Sequence, residues 1–151
     1  MSRQLSRAVL LPALLLAGLL LVDPLSAQPA TQAVDPAMVR ARDWLQTIDR
    51  GEFERAWKDA DASWQKKDLE RFTKDVSRNR PEAPVTVACR AGLYVELVDR
   101  PPGSMAYFDT RFSNGKRVTE RVTLYYGEQD VLHAAAYKID PPQKGKGGCG
   151  G

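Results

Sequence analysis

The chain has 151 residues, 43% of them hydrophobic and 27% charged, with a formal net charge of +3, one His and two Cys. So weak a basic balance argues against nucleic acid as a partner, because the basic stripes that neutralise phosphates are missing; the local cluster Arg78, Arg80 and Arg90 reads as a solvated face. The lone His and the two Cys, without CxxC spacing, supply no metal-ligand set and no thioredoxin-like motif, and neither metal nor cofactor is expected.

The N-terminus reads as an export signal. A short basic segment, MSRQLSR, precedes the uninterrupted apolar run AVLLPALLLAGLLLV (residues 8–22), and DPLSAQ follows with Leu25 and Ala27 at −3 and −1 of a small-residue cleavage site. This is the grammar of a secretory signal peptide cut between Ala27 and Gln28. The run of about 15 residues is shorter than the ~20 needed to span a bilayer, so no stable membrane span is expected after processing; an uncleaved N-terminal anchor is the alternative. No Cys follows the run, which argues against a lipoprotein anchor. The remaining chain, with a charge of about +2 once Arg3, Arg7 and Asp23 are gone, is long enough for one domain and too short for two.

Residues 28–35 form a polar, flexible lead-in. Asp35-Pro36 then opens a helix as N-cap and first-turn proline, and Ala37, Ala41, Trp44, Leu45 and Ile48 recur on one apolar face up to Arg50-Gly51. A second helix carries Phe53, Trp57, Ala60 and Trp64. Asp68 caps a third, with Leu69, Phe72 and Val76, which Pro81 stops. Three tryptophans on adjacent helices are the raw material of a sugar platform, but core anchors of a small domain are the simpler reading.

After Pro84 the apolar period falls to two. VTVACRAGLYVELV is a long strand with a bend at Gly92; MAYFDTRF, KRVTERVTLYY and VLHAAAYKID are three more. Asn114-Gly115 signals a two-residue hairpin turn. With that turn Asp109 faces Glu120, Tyr107 faces Val122 and Met105 faces Leu124; a turn at Glu128-Gln129 sets Glu120 opposite Tyr137, Val122 opposite Ala135 and Leu124 opposite His133. Asp109, Glu120 and Tyr137 then form one row on the apolar face, with Arg111 two residues from Asp109. Like charges opposite each other need compensation, so the row is either wet or internally paired. The layout is α+β: three N-terminal helices packed on a curled four-stranded antiparallel meander over residues 36–140. A flexible Gly/Lys-rich tail fills residues 141–151. In it, Cys149 is either bridged to Cys89 or left free for an intermolecular bond; oxidation is permitted in an exported protein.

WLQTIDRGEFERAW (residues 44–57), YFDTRFSNGKRVTERVTLYY (residues 107–126) and AAAYKI (residues 134–139) together resemble the family known as domain of unknown function 4019. Its members are exported bacterial proteins with the same blocks in the same order. They tend to carry a Trp before the late Tyr, where this chain has VLHAAAY. The resemblance implies export to the periplasm or medium and a cystatin-like cone similar to the nuclear transport factor 2 fold, in which sheet and helices enclose an apolar pocket. It implies no activity.

Two functions follow. The first is a small non-catalytic binding or interaction domain of the bacterial envelope, its partner an apolar small molecule or an envelope protein; the absence of nucleophile, phosphate-loop and nucleotide motifs points this way. The second is a cone-fold acid–base enzyme, isomerase-, cyclase- or hydrolase-like, acting on an apolar small molecule. Its base is Asp109 or Glu120, its hydrogen-bond donor Tyr137 or Tyr107, and His133 assists. Tyr107, Asp109, Arg111, Glu120 and Tyr137 are the ligand-binding candidates. The competing role for the carboxylates is structural, paired with Arg111 or with the helix arginines Arg40 and Arg42. The balance leans away from catalysis.

Overall fold

The computed structural model describes residues 34–145 and 148–150. The predicted leader, its cleavage point at Ala27 and Gln28, and most of the lead-in lie outside them.

Helix α1, Pro36–Asp49, starts where Asp35 accepts a 2.8 Å hydrogen bond from the Ala37 N–H, with Pro36 at the first helical position. Its end is a Schellman cap, in which the Glu52 N–H reaches the Thr47 carbonyl and the Gly51 N–H that of Ile48. Ala37, Met38, Ala41, Trp44, Leu45, Ile48 and Asp49 are its buried residues. The stripe is thus apolar until its last member, a carboxylate.

Among the described residues four helices precede the sheet rather than three. The segment expected to be the second helix is split into α2, Phe53–Lys58, and α3, Ala62–Gln65. Asp61 caps α3 through the Ser63 N–H, while its own N–H donates to the Ala134 carbonyl at 2.8 Å. A backbone committed to a neighbouring strand cannot also continue a helix, so the break is set by tertiary pairing. Helix α4, Leu69–Ser77, begins at Asp68, which accepts from the Arg71 N–H, and buries Phe72 and Val76.

The sheet is an antiparallel meander of β1 (Val87–Asp99), β2 (Pro102–Phe112), β3 (Arg117–Tyr126) and β4 (Leu132–Asp140), in the order β1-β2-β3-β4. A single-turn 3-10 helix, Glu128–Asp130, joins the last two. The expected cone is not formed. The sheet is open, β1 and β4 do not meet, and the sheet neither closes nor curls round the helices. Helix α1 lies across one face and touches all four strands. That face is filled by Trp44, Leu45, Ile48, Trp64 and Phe72 packed on Ala106, Phe108, Val122 and Leu124. Trp44 stacks on Trp64 at 5.4 Å, and Phe72 meets both rings edge-on. The tryptophans are therefore core, with Trp57 only half-buried at its margin and its indole N–H bonded to the Lys67 carbonyl.

The β2–β3 register differs by one residue from the expected one. The loop has three residues, 113–115: Phe112 and Lys116 close it through a 2.9 Å bond from the Phe112 N–H to the Lys116 carbonyl. Gly115 takes the left-handed position at φ +82°, as in a type I turn followed by a one-residue bulge. Asp109 consequently pairs with Thr119 and Phe108 with Glu120. A slip of one residue exchanges the two faces of a strand. On β2 the core side is Ala106, Phe108, Thr110 and Phe112, and Asp109, Tyr107 and Arg111 stand on the back.

Candidate functional site

Helix α1 delivers Asp49 to the end of the core face, where the chain leaving α4 delivers Arg80. Strand β1 supplies Arg90, opposite Thr110 on β2, and β3 supplies Glu120. Strand β4 is offset so that Val122 pairs with Tyr137, which places the tyrosine diagonal to Glu120 on the same face.

These groups form a closed buried network. Glu120, fully buried, accepts at Oε1 from the Tyr137 hydroxyl at 2.6 Å and from Arg80 Nη1. At Oε2 it accepts from Thr110 Oγ1 at 2.6 Å and Arg90 Nε at 2.9 Å, and Arg90 Nη2 stands in ion-pair contact 2.7 Å away. Asp49 Oδ2 accepts from Arg90 Nη1 at 2.6 Å; its Oδ1 accepts from Arg90 Nη2 at 3.1 Å and from Arg80 Nη2. Arg80 also donates to the Tyr137 hydroxyl at 2.6 Å and lies over the Phe112 and Tyr137 rings, 5.5 Å from each centroid. Two carboxylates meet two guanidiniums, so the charges balance inside the core. The expectation that Arg78, Arg80 and Arg90 make a solvated face holds only for Arg78: the Arg80 and Arg90 side chains are 2% and 7% exposed.

Burial by itself would raise the Glu120 carboxyl, but Arg90, Arg80, Thr110 and Tyr137 outweigh it and hold the group below its ordinary range. Burial and the adjacent Glu120 carboxylate push the Tyr137 hydroxyl well above 10. Burial opposes the charge on Arg80, yet the facing acids raise its pKa, and the same holds for Arg90. A general base needs a free lone pair and a pKa near the working pH. Glu120 has its oxygens occupied and its pKa moved the wrong way, and Tyr137 is a poor acid held to Glu120.

The other candidates are elsewhere. Asp109 is buried on the back face, held by Arg117 through Nε and Nη2, each at 2.9 Å, and by the Cys149 N–H at 3.0 Å. Arg117 is the main cause of its lowered pKa, against burial and with the help of Cys149. Tyr107 stacks on Tyr94 at 4.4 Å and donates to Glu96 Oε2 at 2.7 Å. Arg111 pairs across the back face with Cys89 on β1 and Arg117 on β3. His133 lies toward the other end of β4, its Nδ1 3.1 Å from the Asp59 carbonyl. Arg40 binds Asp59 at 2.6 Å, and the Arg42 guanidinium lies 5.9 Å from the Phe108 ring centroid. Of the expected row, then, only Glu120 and Tyr137 meet.

Asp49, Arg80, Arg90 and Thr110 were not singled out from the sequence as partners of Glu120. A signal existed for one of them: Asp49 follows Leu45 by four residues on the apolar stripe of α1, and a carboxylate so placed demands a cationic partner.

The tail after β4 crosses the back face. The Gln143 N–H donates to Thr119 Oγ1 at 3.2 Å, its side-chain amide donates to the Tyr94 hydroxyl at 2.9 Å, and Cys149 is disulfide-bonded to Cys89. Cys149 and Thr119 are buried there. Among the described residues, no group of three or more His, Cys, Asp or Glu could hold a metal ion, and no helix is long and apolar enough to cross a membrane.

A family model described as a protein of unknown function (DUF4019) matches residues 40–137, and the chain belongs to that family. The match spans the network from Asp49 to Tyr137. No curated protein and no solved structure matches the chain.

Proposed function

We propose that this member of the family is an exported envelope domain that binds or holds a partner and catalyses nothing. The observation that carries the reading is the state of Glu120. The one carboxylate expected on the core face and found there is fully buried and bonded to two guanidiniums, a tyrosine and a threonine. An acid–base enzyme keeps its base open to a substrate; this one is sealed. The pairs Asp49–Arg80, Asp49–Arg90, Glu120–Arg80 and Glu120–Arg90 join the helical layer to the sheet, which is a structural task. Export is supported by the basic–apolar–small-residue leader and by the Cys89–Cys149 bond, since such bonds persist in oxidising compartments.

Two measurements on the disulfide-bonded chain test this. Titration with an uncharged apolar fluorescent probe such as Nile red is expected to give no saturable binding, and photo-crosslinking in the native envelope is expected to give discrete adducts. Micromolar, stoichiometric probe binding lost in Tyr137→Phe, with no adducts, would overturn the reading in favour of an enzyme-like pocket.

A further inference from the structure

The open sheet leaves β4 as a terminal strand. Its outer edge is occupied at Ala134, where Ala60 forms a parallel bridge and the Asp61 N–H donates to the Ala134 carbonyl. Farther along, the stretch from Tyr137 to Ile139 borders a groove of about 400 Å³ between β4 and α4. Among the described residues no further strand lies along that stretch.

Among the described residues the groove has an aromatic and aliphatic side, from Trp64, Tyr137 and Ile139, and a cationic rim, from Lys67, Arg78 and Lys138, with Asp75 as the sole carboxylate of its lining. Lys67 is spent on Asp75 at 2.7 Å. Arg78, two-thirds exposed, stands 3.6 Å from the same carboxylate, and Lys138, equally exposed, stands 3.5 Å from Asp140, which Arg121 shares. These last two cations are loosely held and face water, so they are available to an incoming anion. A free strand edge offers unpaired backbone donors and acceptors, and an added strand draws its affinity from them and its specificity from flanking side chains.

We propose that the β4–α4 groove takes an extended acidic peptide segment of a partner protein, laid against the β4 edge from Tyr137 to Ile139, with two adjacent carboxylates on opposite sides of the added strand, one on Arg78 toward α4 and one on Lys138, which shares the back face with Arg121. The bound stretch is short: three residues of strand cover about 10 Å. Charge decides between occupants. A second copy of this chain pairing through the same edge would set Arg78 and Lys138 against their own counterparts, and like charges so placed repel, whereas an acidic segment is attracted. The proposal rests on the interaction-domain reading and names the site and partner chemistry for it.

The test uses the disulfide-bonded chain with four probes: the Glu/Val hexapeptide Val-Val-Glu-Glu-Val-Val, whose adjacent carboxylates project to opposite sides of an extended chain, the same peptide N-methylated at alternate residues, its Lys-for-Glu counterpart, and glutarate as a free dicarboxylate. Amide chemical shifts map the site and calorimetry gives affinity. The Glu/Val peptide is expected to bind saturably and to shift Tyr137, Lys138, Ile139, Arg78 and the Trp64 indole. Tenfold or greater weakening is expected on N-methylation, in the surface double variant Arg78→Ala/Lys138→Ala, and on raising salt from 50 to 500 mM; the Lys peptide should not bind. Absence of saturable binding, shifts mapping to another face, equal affinity after N-methylation, or glutarate binding as tightly as the peptide would each overturn the proposal. If the chain gives discrete envelope adducts while its groove ignores the Glu/Val peptide, this site assignment fails and the interaction-domain reading stands. If the peptide result fails and the apolar probe enters the core, both fail.

Discussion

The Tyr137 hydroxyl donates a 2.6 Å hydrogen bond to Oε1 of Glu120, linking β4 to β3 beneath the helical layer. The same carboxylate oxygen accepts from Arg80, so the pair is one corner of the buried four-charge network. Removing one charge from such a network leaves its partners desolvated and unpaired, which costs ~3–5 kcal/mol. Glu120→Gln is therefore expected to lose about that much, and Tyr137→Phe about 1–3 kcal/mol, the range for an unsatisfied buried polar group. Urea unfolding with the slope held in common checks both. A loss under ~1 kcal/mol for Glu120→Gln would show that the guanidiniums find other partners.

Acid should weaken the fold through the same groups. Both Glu120 and Asp109 titrate below their ordinary values of 4.5 and 3.8 in the folded chain. A depressed folded pKa stabilises the native state above the unfolded pKa, and that stabilisation is lost as pH falls through the folded value. Stability should be level above about pH 5 and decline below it. Glu120→Gln should show a shallower decline than the wild type, read from denaturation midpoints between pH 7 and pH 2. Parallel profiles would mean that the Glu120 carboxyl titrates alike in the folded and unfolded chains.

The Cys89–Cys149 bond closes a loop over a sequence separation of 60. On the chain-entropy account such a loop is worth about 4 kcal/mol. Cys149→Ser, or reduction of the wild type, should lower the guanidinium midpoint correspondingly. It should also loosen the Cys149 N–H contact with Asp109, visible as faster hydrogen exchange at residue 149. An unchanged midpoint would mean the tail adds nothing to the back face.

The tryptophans should separate by burial. Trp44 is 2% exposed and stacked on Trp64, while Trp57 is half-buried at the edge of the cluster. Trp44→Ala is expected to cost ~3–5 kcal/mol, the range for a large core aromatic, and Trp57→Ala clearly less. Thermal unfolding of the two variants side by side decides it, and equal losses would contradict the packing.

What the sequence determined by itself is the set of elements and much of their facing. Asp35-Pro36 and Arg50-Gly51 bracket α1, the 3.6-residue stripe from Ala37 to Ile48 marks its core side, and the period-two runs after Pro84 mark the four strands. These signals are local, because capping and periodicity act within a few residues of one another. Tertiary structure decided the rest. Whether residues 113–116 turn with two residues or three cannot be told from Ser-Asn-Gly-Lys, yet that one residue carries Asp109 from the face of Glu120 to the face of Cys149. The break between α2 and α3 depends on the Ala134 carbonyl, far along the chain. The ion pairs of the network join side chains 30 to 41 residues apart, and a local pattern can say that a buried carboxylate needs a cation without saying which one the packing of helices on the sheet will bring within 3 Å.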